Sequence, residues 1–314
     1  MKKKVLISCL HLQRTIERYL PMFQENNIEV DLPKVNQKLT ESELLGIIKK
    51  YDGIIAGDDE ITANVLNNAT NLKIISKWGV GIDGINLDAA KKNNIKVTNT
   101  PGTFNEEVAN LTIGYLICLS RKIPLIDKMV REGEWNNAQL QGISLRGKTL
   151  GVIGVGGIGR EVIRLASTMG MKTLGYDIYP VPEEFQVQTN MKQVSLDELL
   201  RNSDFISLNC NLTSDNYHLL DIREFELMKD QVYIINTARG PLINESTLVR
   251  YLDSGKVAGA ALDVFETEPL PIQSPLRNYT NCIFGAHNSS NTLDAVLRVN
   301  EIAISNLING LKES

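Results

Sequence analysis

The stretch Thr149-Leu-Gly-Val-Ile-Gly154-Val-Gly156-Gly157-Ile158-Gly159 carries the fold in miniature. It reads as a buried strand, a glycine turn and the first residues of a helix, and a second strand over 172–176 ends on Asp177. Each glycine has a separate use. Gly154 permits a tight turn, Gly156 lets backbone approach a pyrophosphate, and Gly159 lets helix pack on strand, while the helix N-terminus offers N–H groups to phosphates. Asp177 lies close to the ~20-residue spacing expected for a ribose partner. Its carboxylate can accept hydrogen bonds from both ribose hydroxyls and would repel a 2′-phosphate, so the expected dinucleotide is NAD rather than NADP. Gly154, Gly156, Gly157, Ile158, Gly159 and Asp177 form the expected cofactor cradle.

This fingerprint sits near the middle of 314 residues, so a separate unit folds ahead of it. Upstream, short β-branched runs near 4–9, 28–32, 53–57, 72–76 and 95–98 alternate with amphipathic segments near 14–25, 41–50, 62–68 and 85–93. Downstream the rhythm resumes, with strands near 172–176, 204–209, 231–236, 257–262 and 282–284. Such alternation specifies parallel βαβ units and two α/β, doubly wound parallel sheets in series. Ligands of open α/β sheets bind beyond the carboxyl ends of the strands. Thr100-Pro101-Gly102 and the long apolar segment 105–120 mark the crossing between units. A helical pattern over 291–309 closes at Gly310, a residue favoured just past helix ends, and returns to the first unit. The irregular stretch 130–143, with Trp135, is expected to be an exposed arm or a subunit contact.

Composition narrows the partner. The formal net charge is −4 and charged residues make up 22% of the chain, which leaves no positive excess for a nucleic acid. A small molecule is the expected ligand. No apolar run approaches the ~20 residues that span a bilayer, and Met1-Lys-Lys-Lys before Val5-Leu-Ile reads as the approach to a first strand rather than a signal peptide. Cys9, Cys118, Cys210 and Cys282 lack paired metal-ligand spacing, so no metal is expected and the thiols read as reduced core residues of a cytoplasmic protein.

The chain has three histidines, His11, His218 and His287. His287 follows the strand at 282–284, at the sheet edge where ligands bind. Arg239, in Asn236-Thr-Ala-Arg239-Gly240, follows the strand at 231–236 and offers a planar fork that matches a carboxylate. The loop Asp263-Val-Phe-Glu266-Thr-Glu268-Pro269 carries three acids, one of which can orient an imidazole. Together these groups suit hydride transfer at a carbon next to a carboxylate: the imidazole exchanges the hydroxyl proton, the carboxylate fixes its tautomer and arginine holds the acid.

With these motifs, and with Gly79-Val-Gly81-Ile-Asp83 and Asn99-Thr-Pro-Gly102, the chain resembles the D-isomer-specific 2-hydroxyacid dehydrogenases nearly end to end, and within them the phosphoglycerate dehydrogenase-like branch. The resemblance implies a flavodoxin-like substrate domain (1–99 with 288–314) and a Rossmann NAD-binding domain (100–287). It makes Arg239 the carboxylate ligand, Glu268 the partner of His287 and His287 the acid/base. Asp263 is expected near the nicotinamide amide, Thr237, Ala238 and Arg239 along the cofactor, and Asn211 and Thr213 by the adenosine. Lys77, Trp78, Gly79, Val80 and Gly81 are expected to meet substrate, Lys77 in the place of a cation that binds phosphate or carboxylate. A homodimer is implied, while serine-sensing regulation is not expected because the chain stops soon after Gly310. The implied substrate is 3-phosphoglycerate, with glycerate, hydroxypyruvate or glyoxylate as alternatives. Non-catalytic, NAD-responsive corepressor relatives supply a different reading. The sequence departs from the family pattern at Gly84, Asn110 and Asn211.

Overall fold

The computed structural model describes residues 2–135 and 140–313. The chain forms two compact units, Met1–Thr103 with Asn291–Ser314, and Phe104–Ser290. Their borders fall at 103/104 and 290/291, a few residues beyond the expected 99/100 and 287/288.

In the first unit β1 (Lys3–Ile7), β2 (Ile28–Asp31), β3 (Gly53–Ala56), β4 (Ile74–Lys77) and β5 (Lys96–Thr98) form a parallel sheet of order β2-β1-β3-β4-β5. One core gathers Leu6, Ile54 and Ile75 against Leu44, Ile48, Val65 and Leu66 of the covering helices. The helix expected over 14–25 is instead a 3-10 turn Ile16–Arg18 and a helix Leu20–Glu25, preceded by a short helix Leu10–Gln13. Pro21 is the reason: it has no N–H for a preceding turn and sits in the first turn of a new helix.

The helix Leu293–Glu313 returns to this unit and packs on β3 and β4. It runs through Gly310 rather than stopping there, which corrects the expected cap. A Cβ on Gly310 would overlap the Ile74 side chain, and one on Gly53 would lie 2.8 Å from Leu307 Cδ1. Glycine therefore serves close packing between helix and sheet at both positions.

The second unit holds β6 (Thr149–Ile153), β7 (Lys172–Tyr176), β8 (Lys192–Gln193), β9 (Phe205–Leu208), β10 (Val232–Asn236), β11 (Val257–Leu262) and β12 (Cys282–Phe284). All pairs are parallel, in the order β12-β11-β10-β9-β6-β7-β8. Alternate residues feed two cores: Leu150 and Val152 face Val162, Ile163 and Leu116, whereas Ile153, Val232 and Ile234 face Leu199, Phe225 and Leu248. Strand order reverses between β6 and β9, the position at which such sheets bind ligands. The segment 105–120 is the helix Asn105–Arg121, the first element of this unit. After the helix Ile123–Arg131, residues 136–139 lie outside the described residues, and with them part of the expected arm. Trp135, at its near end, is exposed.

The four cysteines are free thiols, though Cys9 alone is fully in a core and the other three are half-buried. Burial pushes the Cys9 thiol up to about 12 and those of Cys210 and Cys282 to about 11. Among the described residues no helix is long and apolar enough to cross a membrane, and no group of three or more His, Cys, Asp or Glu side chains could hold a metal ion.

Candidate active site

The glycine turn at the end of β6 fits a dinucleotide. Gly154 adopts φ +90°, and a Cβ there would lie 2.6 Å from the backbone nitrogen of Cys210, so the turn is closed against the loop after β9. A Cβ on Gly159 would overlap the Gly154 carbonyl, whereas the space at Gly156 is open, as an approaching pyrophosphate requires. Gly157 abuts the Asn105 side chain, and Ile158 is half-buried. The helix Gly157–Thr168 begins here, its first N–H groups aimed at the same space. Asp177 follows β7; its Oδ2 accepts the Val155 N–H at 2.7 Å and its Oδ1 the Tyr179 N–H at 2.9 Å. Both oxygens keep a further lone pair for ribose hydroxyls. After β9, Asn216 takes the Thr213 N–H on its Oδ1 at 2.7 Å and donates to the Asn211 carbonyl at 2.7 Å. Asn211 and Thr213 are thus held by a residue that sequence reading did not single out.

The chemistry-bearing side chains come from three neighbouring parallel strands, so their loops leave the same edge of the sheet. Beyond β10, Asn236 closes the turn: its Oδ1 accepts the Ala238 N–H at 3.0 Å and its Nδ2 donates to the Arg239 carbonyl at 2.8 Å. Thr237 is buried, its hydroxyl 3.0 Å from that of Thr112. The half-buried Arg239 guanidinium donates from Nη1 to the Ala238 carbonyl at 2.7 Å. Gly240 then touches the backbone of Phe265 and Glu266 so closely that a Cβ would overlap it. That contact joins the arginine turn to the acid-bearing loop.

Beyond β11, Glu268 accepts the Phe265 N–H on Oε1 at 3.0 Å, and its Oε2 lies 2.7 Å from His287 Nδ1. His287, beyond β12, has φ +51°, an uncommon conformation for a side-chain-bearing residue and one that clusters at functional sites. Asp263 maintains it. The His287 N–H donates to the Asp263 carbonyl at 2.7 Å, and the buried carboxylate accepts Asn288 N–H at 3.3 Å and Ser289 N–H at 2.9 Å. Tyr115 O–H completes this shell at 3.4 Å from Asp263 Oδ1; burial, and then the adjoining carboxylate, raise its pKa and keep it a donor. A Cβ on Gly285 would overlap both Asp263 and Tyr115. Asp263, expected near the nicotinamide amide, spends its carboxylate on the histidine loop. Tyr115 and Gly285 were not legible as site residues because their partner Asp263 is distant in sequence.

The first unit presents its expected substrate residues at the carboxyl end of β4. Lys77 is 7% exposed, with Nζ 3.1 Å from Asp58 Oδ1 and donating to the Trp78 carbonyl at 2.8 Å. It is not a solvated surface lysine. Trp78 is buried, stacks on His11 at 4.7 Å and donates from Nε1 to Asn300 Oδ1 at 2.7 Å. Gly79 takes φ +117° and exchanges bonds with Thr100, while Asn99 Nδ2 donates to the Val80 carbonyl at 2.7 Å. Val80 and Gly81 are half-buried. Gly84 has a steric reason: a Cβ would lie 2.9 Å from the Asp59 carbonyl.

A switch-point glycine cradle, an acid at the next strand end and a carboxylate-bound imidazole define a dinucleotide-dependent α/β oxidoreductase. The model for D-isomer specific 2-hydroxyacid dehydrogenase, NAD binding domain, matches residues 113–289, more than half of the chain. The chain belongs to that family, and it is an NAD-dependent oxidoreductase acting on CH–OH groups. It is 41% identical to a glyoxylate reductase of Thermofilum pendens over 87% of this chain and 82% of that protein. It is 36% identical to a D-3-phosphoglycerate dehydrogenase of Archaeoglobus fulgidus over 94% of this chain, but spans only 56% of that longer protein. Among solved structures, D-lactate dehydrogenase from Aquifex aeolicus, complexed with NAD and lactic acid, superimposes with a TM-score of 0.88 at 29% identity, covering 99% of this chain and 96% of that one.

Proposed function

We propose that the protein interconverts a small D-2-hydroxyacid and its 2-oxoacid, with His287 as acid/base, Glu268 as its orienting carboxylate and Arg239 as the ligand of the substrate carboxylate. The observation that carries this is the 2.7 Å contact between His287 Nδ1 and Glu268 Oε2, on loops flanked by the Arg239 turn. With Nδ1–H donated to glutamate, proton exchange with substrate falls to Nε2. In the direction of reduction, Nε2–H of the imidazolium gives its proton to the carbonyl oxygen, and Glu268 stabilises the charged ring that precedes the step. The guanidinium fork holds the adjacent carboxylate and so fixes which carbonyl face is presented. Bound nicotinamide supplies the hydride chemistry. Gly154 to Gly159, Asp177, Asn211, Thr213, Thr237, Ala238 and Asp263 remain the proposed cofactor shell, Asp263 by holding the histidine loop. Trp78 to Gly81 remain proposed substrate-binding residues.

Lys77 bears on the substrate. Because its ammonium is committed to Asp58 and a carbonyl, we favour an unphosphorylated oxoacid such as glyoxylate or hydroxypyruvate over the expected 3-phosphoglycerate. The test is NADH consumption with glyoxylate, hydroxypyruvate, pyruvate and 3-phosphohydroxypyruvate. Turnover of the first two at the highest kcat/KM is expected; preference for the phosphorylated acid overturns the substrate reading. His287→Ala is expected to lower kcat by about 10²–10⁴-fold at nearly unchanged NADH affinity, and undiminished turnover removes His287 from the chemistry. The orientation of the Glu268–His287 pair weighs against a corepressor-like role.

A homodimer is supported by the helix Ile123–Arg131, which buries none of its residues and exposes Ile123, Ile126 and Val130 along one face. A cytoplasmic location is supported by the free thiols.

A further inference from the structure

Glu266, two residues before Glu268, is the centre of contacts that the proposed chemistry does not itself require. Its Oε1 accepts the N–H of Glu245 at 2.8 Å, and its own N–H donates to Glu245 Oε1 at 2.7 Å. This reciprocal clasp ties the loop after β11 to the first turn of the helix Glu245–Asp253. His218 Nε2 lies 3.1 Å from the same Glu266 oxygen. His218 is itself fixed, with φ +53°, its N–H donating to the Pro241 carbonyl at 2.7 Å and its ring stacked 4.1 Å from that of Tyr217. On the third side the Gly240 backbone presses on Phe265 and Glu266.

We propose that Glu266, clasped by Glu245 and packed beside His218, is a positioning residue that sets the Glu268 carboxylate on His287. The inference rests on the reading of Glu268 and His287 as the acid/base pair. Its physical basis is that like charges crowd this loop. Glu245 is held above the usual carboxylate range, first by burial and then by the neighbouring Glu266 and Glu268. Like charge on the three carboxylates favours their separation, and the clasp fixes the loop that carries Glu268 against it. Two backbone N–H donors hold the arrangement against that repulsion, and the His218 ring, which also faces Asp221, packs beside Glu266 with Nε2 3.1 Å from Oε1. A carboxylate beside the first turn of a helix gains further from the helix dipole. Neither partner of Glu266 is near it in sequence, which is why the second histidine–glutamate pair has no local signature.

Three histidines in the chain make the test direct, because each ring can be resolved by NMR after 15N-histidine labelling. In Glu266→Ala the deshielded Nδ1 proton of His287 is expected to shift or broaden by exchange, and kcat to fall roughly 10- to 100-fold, the scale of a small misplacement of a reacting group. NADH affinity stays within about twofold, and Glu266→Gln, which keeps the accepting oxygen, restores both signals. Glu245→Ala attacks the clasp from the helix side, gives the same result and decides the matter if Glu266→Ala does not fold. A wild-type Nδ1 resonance in a folded alanine variant overturns the proposal, as does a loss that glutamine does not restore. A wild-type protein inactive on every oxoacid refutes the acid/base reading instead, and the NMR arm still decides whether Glu266 positions the pair.

Discussion

At the carboxyl edge of the five-stranded sheet, Lys77 is bound to Asp58 and a carbonyl, His11 is stacked on Trp78, and Trp78 is bonded to Asn300. At the same edge of the seven-stranded sheet, an arginine, a glutamate and a histidine stand on three adjacent loops, each braced by backbone donors or acceptors. Both edges hold cations, carboxylates and an imidazole. In the first unit these groups pair with one another; in the second, Asn236 and Asp263 brace through the backbone the loops that carry Arg239 and His287, an arrangement that the proposed chemistry uses. The difference lies in the backbone bracing of the loops, since preorganisation requires a support that is not the reacting group itself.

The contrast can be broken most severely at Arg239. Arg239→Ala is expected to lower kcat/KM for the preferred oxoacid by about 100-fold or more, and Arg239→Lys to recover little because an ammonium lacks the planar fork. Steady-state kinetics with both variants checks this, and full recovery by lysine would mean that charge alone suffices. In the first unit an equally small change strikes the fold instead. Gly310→Ala, which sets a Cβ against Ile74, is expected to cost about 1–3 kcal/mol of stability, read by denaturant unfolding, with NADH affinity preserved.

A smaller effect separates the two imidazole environments. Burial, then the charges of Arg14 and Lys77, lowers the His11 pKa from 6.5. The unfolded chain therefore binds the extra proton more readily, so this contribution to stability is present above about pH 6.5 and is lost as pH falls below it. His11→Phe keeps an aromatic ring against Trp78 and is expected to flatten the acid-side slope of Tm between pH 7.5 and about 5.5. An unchanged slope would locate the titrating group elsewhere.

The glycine turn, the alternating runs and the three edge motifs made the two parallel sheets and the Arg239, Glu268, His287 set legible, because strand period and loop chemistry are local signals. What was missed depends on distant partners. β8 is a two-residue edge strand without a pattern of its own. Gly310 resembles a cap until Ile74 is placed beside it, and the burial of Lys77 follows from Asp58 at the end of another strand. No periodicity announces that His218 meets Glu266 or that Gly285 must make room for Asp263.

The pH dependence of kcat/KM for NADH-driven reduction, compared between the wild type and Glu268→Gln, tests the central claim most directly. In the proposed mechanism reduction needs a protonated His287, so activity is expected to fall as pH rises, and removing the carboxylate that favours the imidazolium should move that fall to lower pH and depress the maximum. A descending limb at the same pH and height in both enzymes would contradict a glutamate-steadied histidine as the proton donor.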